Sequence, residues 1–168
     1  MADIAYPWLE SYWLQFQSMG ARVPQALLIY GRPGLGKSTL GMLYALLTMG
    51  HHPGFFTCTV KDEESISIDQ IRTLQAHVQQ TVTIGSHKVV LINPIERLNR
   101  YAANALLKLL EEPPSGTYFI VISHAQTMIL PTLMSRLIKM PIVVTDRSVA
   151  MTWLKNQNIA EEDALLAL

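Results

Sequence analysis

The residues with the clearest chemical meaning are eight consecutive positions, 31 to 38, which read Gly-Arg-Pro-Gly-Leu-Gly-Lys-Ser. They match the pattern G-x-x-x-x-G-K-[ST] at every fixed position. Glycine tolerates positive φ, so the N–H groups of such a loop can turn toward one anion at the N-terminus of the following helix. The pattern therefore predicts a phosphate-binding loop.

Each residue type in this loop has a role in holding a nucleotide. Lys37 is expected to reach the outer phosphates, and the Ser38 hydroxyl is expected to complete the shell of a bound Mg²⁺. The alternative is a glycine-rich turn that binds nothing. The predicted nucleotide contacts are Gly31, Arg32, Pro33, Gly34, Leu35, Gly36, Lys37, Ser38 and Thr39.

The elements around the loop must place it between a strand and a helix. Residues 27–30 form a short apolar run typical of a buried strand, and the residues from Thr39 onward favour a helix. Further strands are predicted by apolar and β-branched runs at 55–60, 88–92, 118–122 and 137–140. Strands that alternate with helices indicate an α/β fold with a mostly parallel sheet.

Local signals predict where several helices begin. Ser67 and Gln70 form a capping box, and Asn99 and Asp146 are suited to cap the helices that follow them. Near the N-terminus, the spacing of four apolar side chains predicts a short helix that packs in the core: Trp8, Trp13, Leu14 and Phe16. After Asn99, a wide apolar face is predicted for Tyr101, Ala102, Ala105, Leu106, Leu109 and Leu110.

The composition bounds the class of protein. Apolar residues make up 49% and charged residues 15%, so part of the apolar surface is expected to contact a neighbouring chain or domain. The net charge is zero, which gives no general attraction to nucleic acid or anionic lipid. No apolar run is long enough to span a bilayer and no signal peptide is visible, so we expect a cytoplasmic protein that does not bind membranes.

Metal ligands of the zinc type are few. The single cysteine, Cys58, fits a reducing compartment. Together with His51 and His52 it makes three candidate ligands, two of them adjacent, which is too few for a structural zinc site. We therefore expect no zinc.

The end of the third predicted strand lacks the acidic residues that a phosphate-loop hydrolase has there. In a phosphate-loop hydrolase this position supplies an acidic residue for Mg²⁺, commonly followed by one that polarises the attacking water. Here the sequence reads Asn93-Pro94-Ile95-Glu96. Asn93 can hold a metal-bound water without charge, and Pro94 offers no proton acceptor. Glu96 is expected on the next helix or its approach, and the possibility that it bends back stays open.

A more specific signal lies in the second half of the chain. Residues 104–114 read Asn-Ala-Leu-Leu-Lys-Leu-Leu-Glu-Glu-Pro-Pro, residues 118–123 read Tyr-Phe-Ile-Val-Ile-Ser, and residues 133–136 read Leu-Met-Ser-Arg. With the phosphate loop, these stretches make the chain resemble the bacterial clamp-loader AAA+ proteins. The resemblance implies an AAA+ domain over residues 1–142, a sheet of order 5-1-4-3-2, and the start of a helical lid over 143–168. The chain ends within a helical pattern, so we expect it to be a piece of a longer protein.

The resemblance also assigns roles to single residues. It implies ATP as the nucleotide, Asn93 at the metal position, and Ser123 or His124 at the sensor of the γ-phosphate. Arg136 matches an arginine that acts in trans, projecting toward the nucleotide of the adjacent subunit. The alternative for Arg136 is a surface or salt-bridged arginine. The four-cysteine zinc module that many of these proteins carry is absent here, where residues 49–53 replace it.

The function implied is that of a structural subunit of a clamp loader, a component of the DNA polymerase III holoenzyme. Such a stator donates its arginine to a neighbour, binds ATP at most, and hydrolyses it poorly. The implied partners are subunits of the gamma/tau and delta types in a ring, the sliding clamp and primer-template DNA. The alternative is an active ATPase motor of the gamma/tau type in which Glu96 replaces the missing acid. A nucleotide kinase is disfavoured, because no arginine-rich lid is visible.

Overall fold

The computed structural model describes residues 6–19, 22–49, 55–59, 65–79 and 87–157. The strands are β1 (Ala26–Tyr30), β2 (Phe55–Thr59), β3 (Lys88–Asn93), β4 (Thr117–Ser123) and β5 (Ile138–Pro141). The helices are α1 (Glu10–Met19), α2 (Lys37–Met49), α3 (Ile68–Gln79), α4 (Arg100–Glu111), α5 (Pro131–Met134) and α6 (Arg147–Asn156). Short 3-10 turns cover Pro7–Leu9, Ile95–Arg97 and Gln126–Met128.

The five strands form one parallel sheet in the order β2-β3-β4-β1-β5. This is the predicted order 5-1-4-3-2 read from the other edge, so the predicted fold class is confirmed. All strands point the same way, and their carboxyl ends therefore lie along one edge of the sheet. In open α/β sheets this carboxyl edge is where ligands bind.

Helices cover both faces of the sheet, because alternate side chains of each strand point to opposite sides. Leu28, Val90 and Phe119 face α3, α4 and α5. Leu27, Leu91 and Ile120 face α1, α2 and α6. The continuous burial of Val89 to Ile92 fits the prediction of a strand buried on both faces.

The helix caps lie where the sequence predicts them. Ser67 N donates to Gln70 Oε1 (2.8 Å) and Gln70 N donates to Ser67 Oγ (3.4 Å), which completes the capping box before α3. Asn99 Oδ1 accepts from Ala102 N (2.8 Å) at the start of α4. Asp146 Oδ1 accepts from the backbone N–H groups of the first turn of α6 and from the Ser148 hydroxyl, and these bonds lower the pKa of its carboxyl.

Two predicted core residues lie on the surface. Leu14 of α1 is 57% exposed and Tyr101 of α4 is 71% exposed, so their assignment to the core was wrong. Both lie beside well-buried residues, Phe16 and Ala102. Helical spacing locates the centre of an apolar face, whereas its width depends on which neighbouring elements cover it.

Some predictions lie outside the described residues. These concern Val60 as the end of the second strand, the pair His51 and His52, and the second helix of the lid after residue 157. The division at residue 142 also stays a prediction. No helix among the described residues combines the length and apolar composition needed to cross a membrane.

Candidate functional site

The glycine-rich loop, residues 31–38, lies at the carboxyl end of β1 and leads directly into α2, which begins at Lys37. Gly34 and Gly36 have φ values of 83° and 77°, a region that residues with a Cβ rarely adopt. Arg32, Pro33, Gly34 and Ser38 are exposed, Thr39 is half-buried, and Leu35 is buried. The loop therefore presents a turned, open backbone at a helix N-terminus, the arrangement that receives an anion.

Lys37 folds back into this loop. The residue is only 2% exposed, and its Nζ donates to the backbone carbonyl of Arg32. Burial lowers the pKa of Lys37 to about 8, and the nearby Glu96 carboxylate acts against that shift. The ammonium group thus lies inside the concave side of the loop, where an outer phosphate would compete for it.

The fold brings together Ser38, in the first turn of α2, and Asn93, at the end of β3. Asn93 Nδ2 donates to Ser38 Oγ (3.0 Å). Asn93 Oδ1 is buried and has no hydrogen-bond partner in the part of the chain that the structure describes. Buried polar atoms are normally paired, so this oxygen is suited to accept from a metal-bound water beside the Ser38 hydroxyl. The two residues fit a hydrated Mg²⁺.

Glu96 bends back toward the carboxyl edge of the sheet. It lies on the turn Ile95–Arg97, as expected for the approach to α4, and its Oε1 accepts from His124 N at the end of β4 (2.7 Å). Its Oε2 is buried without a partner among the described residues. A carboxylate therefore stands near Lys37, although three positions later than in a phosphate-loop hydrolase.

The two candidate sensor residues, Ser123 and His124, differ in burial and in their contacts. Ser123 is fully buried, its Oγ accepts from Ala125 N (3.1 Å), and its carbonyl accepts from Gly31 N (3.3 Å). The exposed His124 has a lowered pKa, first because of desolvation and then because of Lys37. Ser123 thus ties β4 to the glycine-rich loop, and His124 shares the electrostatic surroundings of Lys37.

Arg136 lies at the opposite edge of the sheet. It precedes β5, whose Ile138 pairs with Leu27 near the start of β1, whereas the glycine-rich loop follows the end of β1. At a rise of about 3.3 Å per residue, Arg136 is separated from that loop by roughly 15–20 Å along the strand. Its guanidinium pairs with Glu111 Oε1 (2.6 Å) and donates to Thr132 O (2.8 Å).

Sequence reasoning missed one residue beside the loop. Trp8 lies in the 3-10 turn before α1, and its indole N–H donates to Leu35 O (3.1 Å). The two residues are 27 positions apart, and aromatic spacing alone indicated only core packing for Trp8. No sequence signal for this hydrogen bond was available.

Metal ligands of the zinc type are not assembled in the described part of the chain, where no group of three or more His, Cys, Asp or Glu side chains converges. Cys58 is buried, and burial raises the pKa of its thiol to about 11. Since His51 and His52 lie outside the described residues, the expected lack of zinc stays a prediction.

The sheet order and the strand-loop-helix unit at the carboxyl edge define a domain of the AAA+ class. The family model for "DNA polymerase III, delta subunit" matches residues 46–145. The chain is 36% identical over 176 residues to DNA polymerase III subunit delta-prime of Pseudomonas aeruginosa, covering 92% of this chain and 53% of that protein. It is 30% identical over 188 residues to the delta-prime subunit of Escherichia coli, covering 96% and 56%. The chain therefore belongs to the DNA polymerase III delta-prime family.

The solved structures agree on the fold. A gamma subunit-related protein of DNA polymerase III from Thermotoga maritima superimposes with a TM-score of 0.71 at 22% identity, covering 91% of this chain and 57% of that chain. The chain spans about half the length of the curated relatives it matches.

Proposed function

We propose that this protein is a stator subunit of a DNA polymerase III clamp loader, which binds ATP with Mg²⁺ but hydrolyses it poorly. One observation carries the proposal: Asn93, a neutral side chain, occupies the position beside Ser38 where a hydrolase has a carboxylate. The glycine-rich loop itself is complete.

Nucleotide binding rests on residues of the loop and the neighbouring strand ends. The N–H groups of residues 34–38 and the Lys37 ammonium hold the phosphates, and Ser38 with Asn93 holds the hydrated Mg²⁺. Bound Mg²⁺ supplies charge neutralisation for the triphosphate. Ser123 holds Gly31 in place, and His124 lies close enough to Lys37 for the lysine to help lower its pKa.

Poor hydrolysis follows from the lack of an acidic side chain at positions 93 and 94. Asn93 and Pro94 carry no charge, so neither can polarise an attacking water. Glu96 is a carboxylate, but its Oε1 is engaged by the backbone N–H of His124. In the proposed state it balances the charge of Lys37 and positions the end of β4.

An active motor of the gamma/tau type is the second candidate, because Glu96 lies close enough to Lys37 to affect its pKa. In that case Glu96 would take the role of the catalytic acid from its shifted position. A stator and a motor differ in ATP turnover, and both bind ATP.

The two candidates are separated by measuring ATP binding and ATP turnover on the same preparations of the full-length protein. For the stator we expect saturable binding of ATP that Lys37→Ala abolishes, with turnover at or near background and unchanged in Glu96→Gln. Turnover of about 1 s⁻¹ or more, in the range of working phosphoryl-transfer enzymes, that both variants abolish would identify a motor instead.

Arg136 is proposed to act in trans. Arg136 lies too far from the glycine-rich loop of its own chain to reach a nucleotide there, which supports a role at the nucleotide of a neighbouring subunit. In that setting an arginine stabilises charge that develops on the γ-phosphate. In the free subunit the guanidinium is paired with Glu111.

The assembly and the location in the cell are proposals as well. The partners are subunits of the gamma/tau and delta types in a ring, and through that ring the sliding clamp and primer-template DNA in the cytoplasm. We assign residues 1–142 to the AAA+ domain and 143–168 to the start of the lid.

Mixing the full-length protein with both partner types should give one complex by size-exclusion chromatography, and separate elution of this protein would contradict the proposed partners.

A further inference from the structure

We propose that Trp8 is a positioning residue for the glycine-rich loop, and that it makes anion binding in the loop and the docking of α6 depend on each other. The inference rests on the proposed nucleotide binding and adds a residue that the loop pattern does not contain. It starts from three aromatic residues, Tyr6, Trp8 and Trp153, which we call the aromatic cluster.

The indole of Trp8 fixes one peptide group of the loop. Its Nε1–H donates to Leu35 O (3.1 Å), and the bond is buried. The carbonyl of Leu35 and the N–H of Gly36 belong to the same planar trans peptide, so they point in opposite directions. Holding the carbonyl on the outside of the loop therefore aims the Gly36 N–H toward the inside, where the anion is proposed to bind.

The same side of the loop is packed by the N-terminal turn. A methyl group added at Gly36 would lie 2.5 Å from Tyr6 Cδ2 and 2.9 Å from Leu9 Cδ1. Gly36 also has a φ of 77°, so the backbone is held in a conformation that favours glycine. Tyr6 and Trp8 thus contact the outer surface of the loop by packing and by a hydrogen bond.

Trp153 links this turn to α6. Its ring centroid lies 5.1 Å from that of Tyr6 and 5.3 Å from that of Trp8, the second pair edge to face. Tyr6 and Trp8 are themselves 5.4 Å apart. Such ring pairs are favourable contacts beyond their buried area, so moving α6 would disturb the rings that hold the Leu35 peptide.

The coupling is reciprocal by linkage. An anion that binds the inward Gly36 N–H also stabilises the outward orientation of the Leu35 carbonyl. That orientation stabilises the Trp8 hydrogen bond, and the Trp8 ring in turn contacts Trp153 in its docked position. Anion binding is therefore expected to slow the local opening of α6, and loss of the indole N–H is expected to weaken anion binding.

The test compares the full-length protein with Trp8→Phe and with Trp13→Phe as the matched control. Trp8→Phe keeps a ring in the aromatic cluster and removes the N–H donor, whereas Trp13 lies on α1, partly buried against the same core. The probes are ATP with Mg²⁺ and inorganic triphosphate, which has no base. Calorimetry gives the affinities, and hydrogen exchange gives the protection of the α6 amides.

We expect Trp8→Phe to bind both probes about 3- to 10-fold more weakly, the range of one hydrogen bond, and Trp13→Phe to bind like the unaltered protein. We also expect triphosphate to slow exchange in α6, and this slowing to be reduced in Trp8→Phe. A purely structural role would lower the thermal midpoint without removing that response.

Three results would overturn the inference. Equal affinities of Trp8→Phe and the unaltered protein would remove the positioning role. Weaker binding of ATP but not of triphosphate would mean that the indole contacts the base and not the loop. If the unaltered protein binds neither probe, the proposed nucleotide binding fails and this inference fails with it.

Discussion

In the folded chain, Lys37 holds its proton weakly. Burial lowers its pKa from 10.5 to about 8, so the unfolded chain binds the proton more strongly than the folded chain does. The contribution of Lys37 to the free energy of unfolding therefore increases as the pH rises from 8 to 10.5, because over this range the folded lysine is neutral and the unfolded one is still charged.

The same shift predicts how ATP affinity depends on pH. A triphosphate binds the charged lysine and raises its pKa, so binding above pH 8 requires uptake of a proton. We expect the affinity to fall with pH above this value, at most about tenfold per unit for a single proton. Calorimetry in two buffers of different ionisation enthalpy measures both the affinity and the proton uptake.

Lys37→Met is the control for this dependence, since it removes the titrating group and keeps much of the side-chain stem. Its affinity should be low at every pH and show no proton uptake from this site. An unaltered protein whose affinity stays constant up to pH 10 would contradict the assignment of Lys37 to the outer phosphates.

Asn93 is the residue that we propose allows ATP to bind without efficient hydrolysis. Asn93→Asp places a carboxylate beside Ser38 at nearly the same volume. We expect it to strengthen Mg²⁺-dependent ATP binding by about tenfold, because a hydrogen bond to a charged group contributes about 1 to 1.5 kcal/mol more than one between neutral groups. Binding without Mg²⁺ should not improve, since the added charge faces the phosphates. Equal effects with and without Mg²⁺ would argue against a metal position at Asn93.

The segment before β5, together with α4, places Arg136 at the amino edge of the sheet. The guanidinium and its partner Glu111 are both partly exposed, at 34% and 42% of their side chains. Ion pairs of this kind contribute at most about 1 kcal/mol to stability. The pair therefore contributes little to the stability of the fold.

Arg136→Ala is expected to change the free energy of unfolding by less than about 1 kcal/mol and to leave the chain's own ATP affinity intact. In a reconstituted clamp loader it should lower ATP hydrolysis about 10³-fold or more at the site it faces, as removal of an arginine finger does. The measurement is ATPase of the assembled loader, with urea unfolding of the free subunit as the check on stability.

Glu111→Gln is the matched control, because it breaks the ion pair and leaves the cation. We expect loader activity close to that of the unaltered protein. If both variants depress activity equally, the ion pair and not the free guanidinium is the functional unit, and the trans role of Arg136 is wrong.

The elements that sequence reasoning predicts well are those fixed by neighbouring residues. The capping box at Ser67, the cap at Asn99 and the turns of the glycine-rich loop depend on residues at most three positions apart or on glycine itself. The contacts of Trp8 with Leu35 and of Glu96 with His124 join residues 27 and 28 positions apart. Only the folded sheet brings those pairs together, so a sequence pattern does not contain them.

The direction of the sheet separates the two proposed sites of the molecule. The carboxyl edge carries the glycine-rich loop, Asn93 and Glu96, and the amino edge carries Arg136. A subunit built in this way can receive a nucleotide at one edge while offering a cation to a neighbour at the other. This polarity suits a ring in which each subunit contacts the next in the same sense.

With the neutral Asn93 beside its glycine-rich loop, this chain should hold ATP without cleaving it efficiently, and a crystal structure of the full-length protein with ATP and Mg²⁺ would show whether it does. We predict intact ATP with its phosphates on the N–H groups of residues 34–38, a metal-bound water on Asn93 Oδ1, and Glu96 still bonded to His124 N. An in-line water held by the Glu96 carboxylate, or ADP in place of ATP, would contradict the proposal that this chain binds ATP without hydrolysing it efficiently.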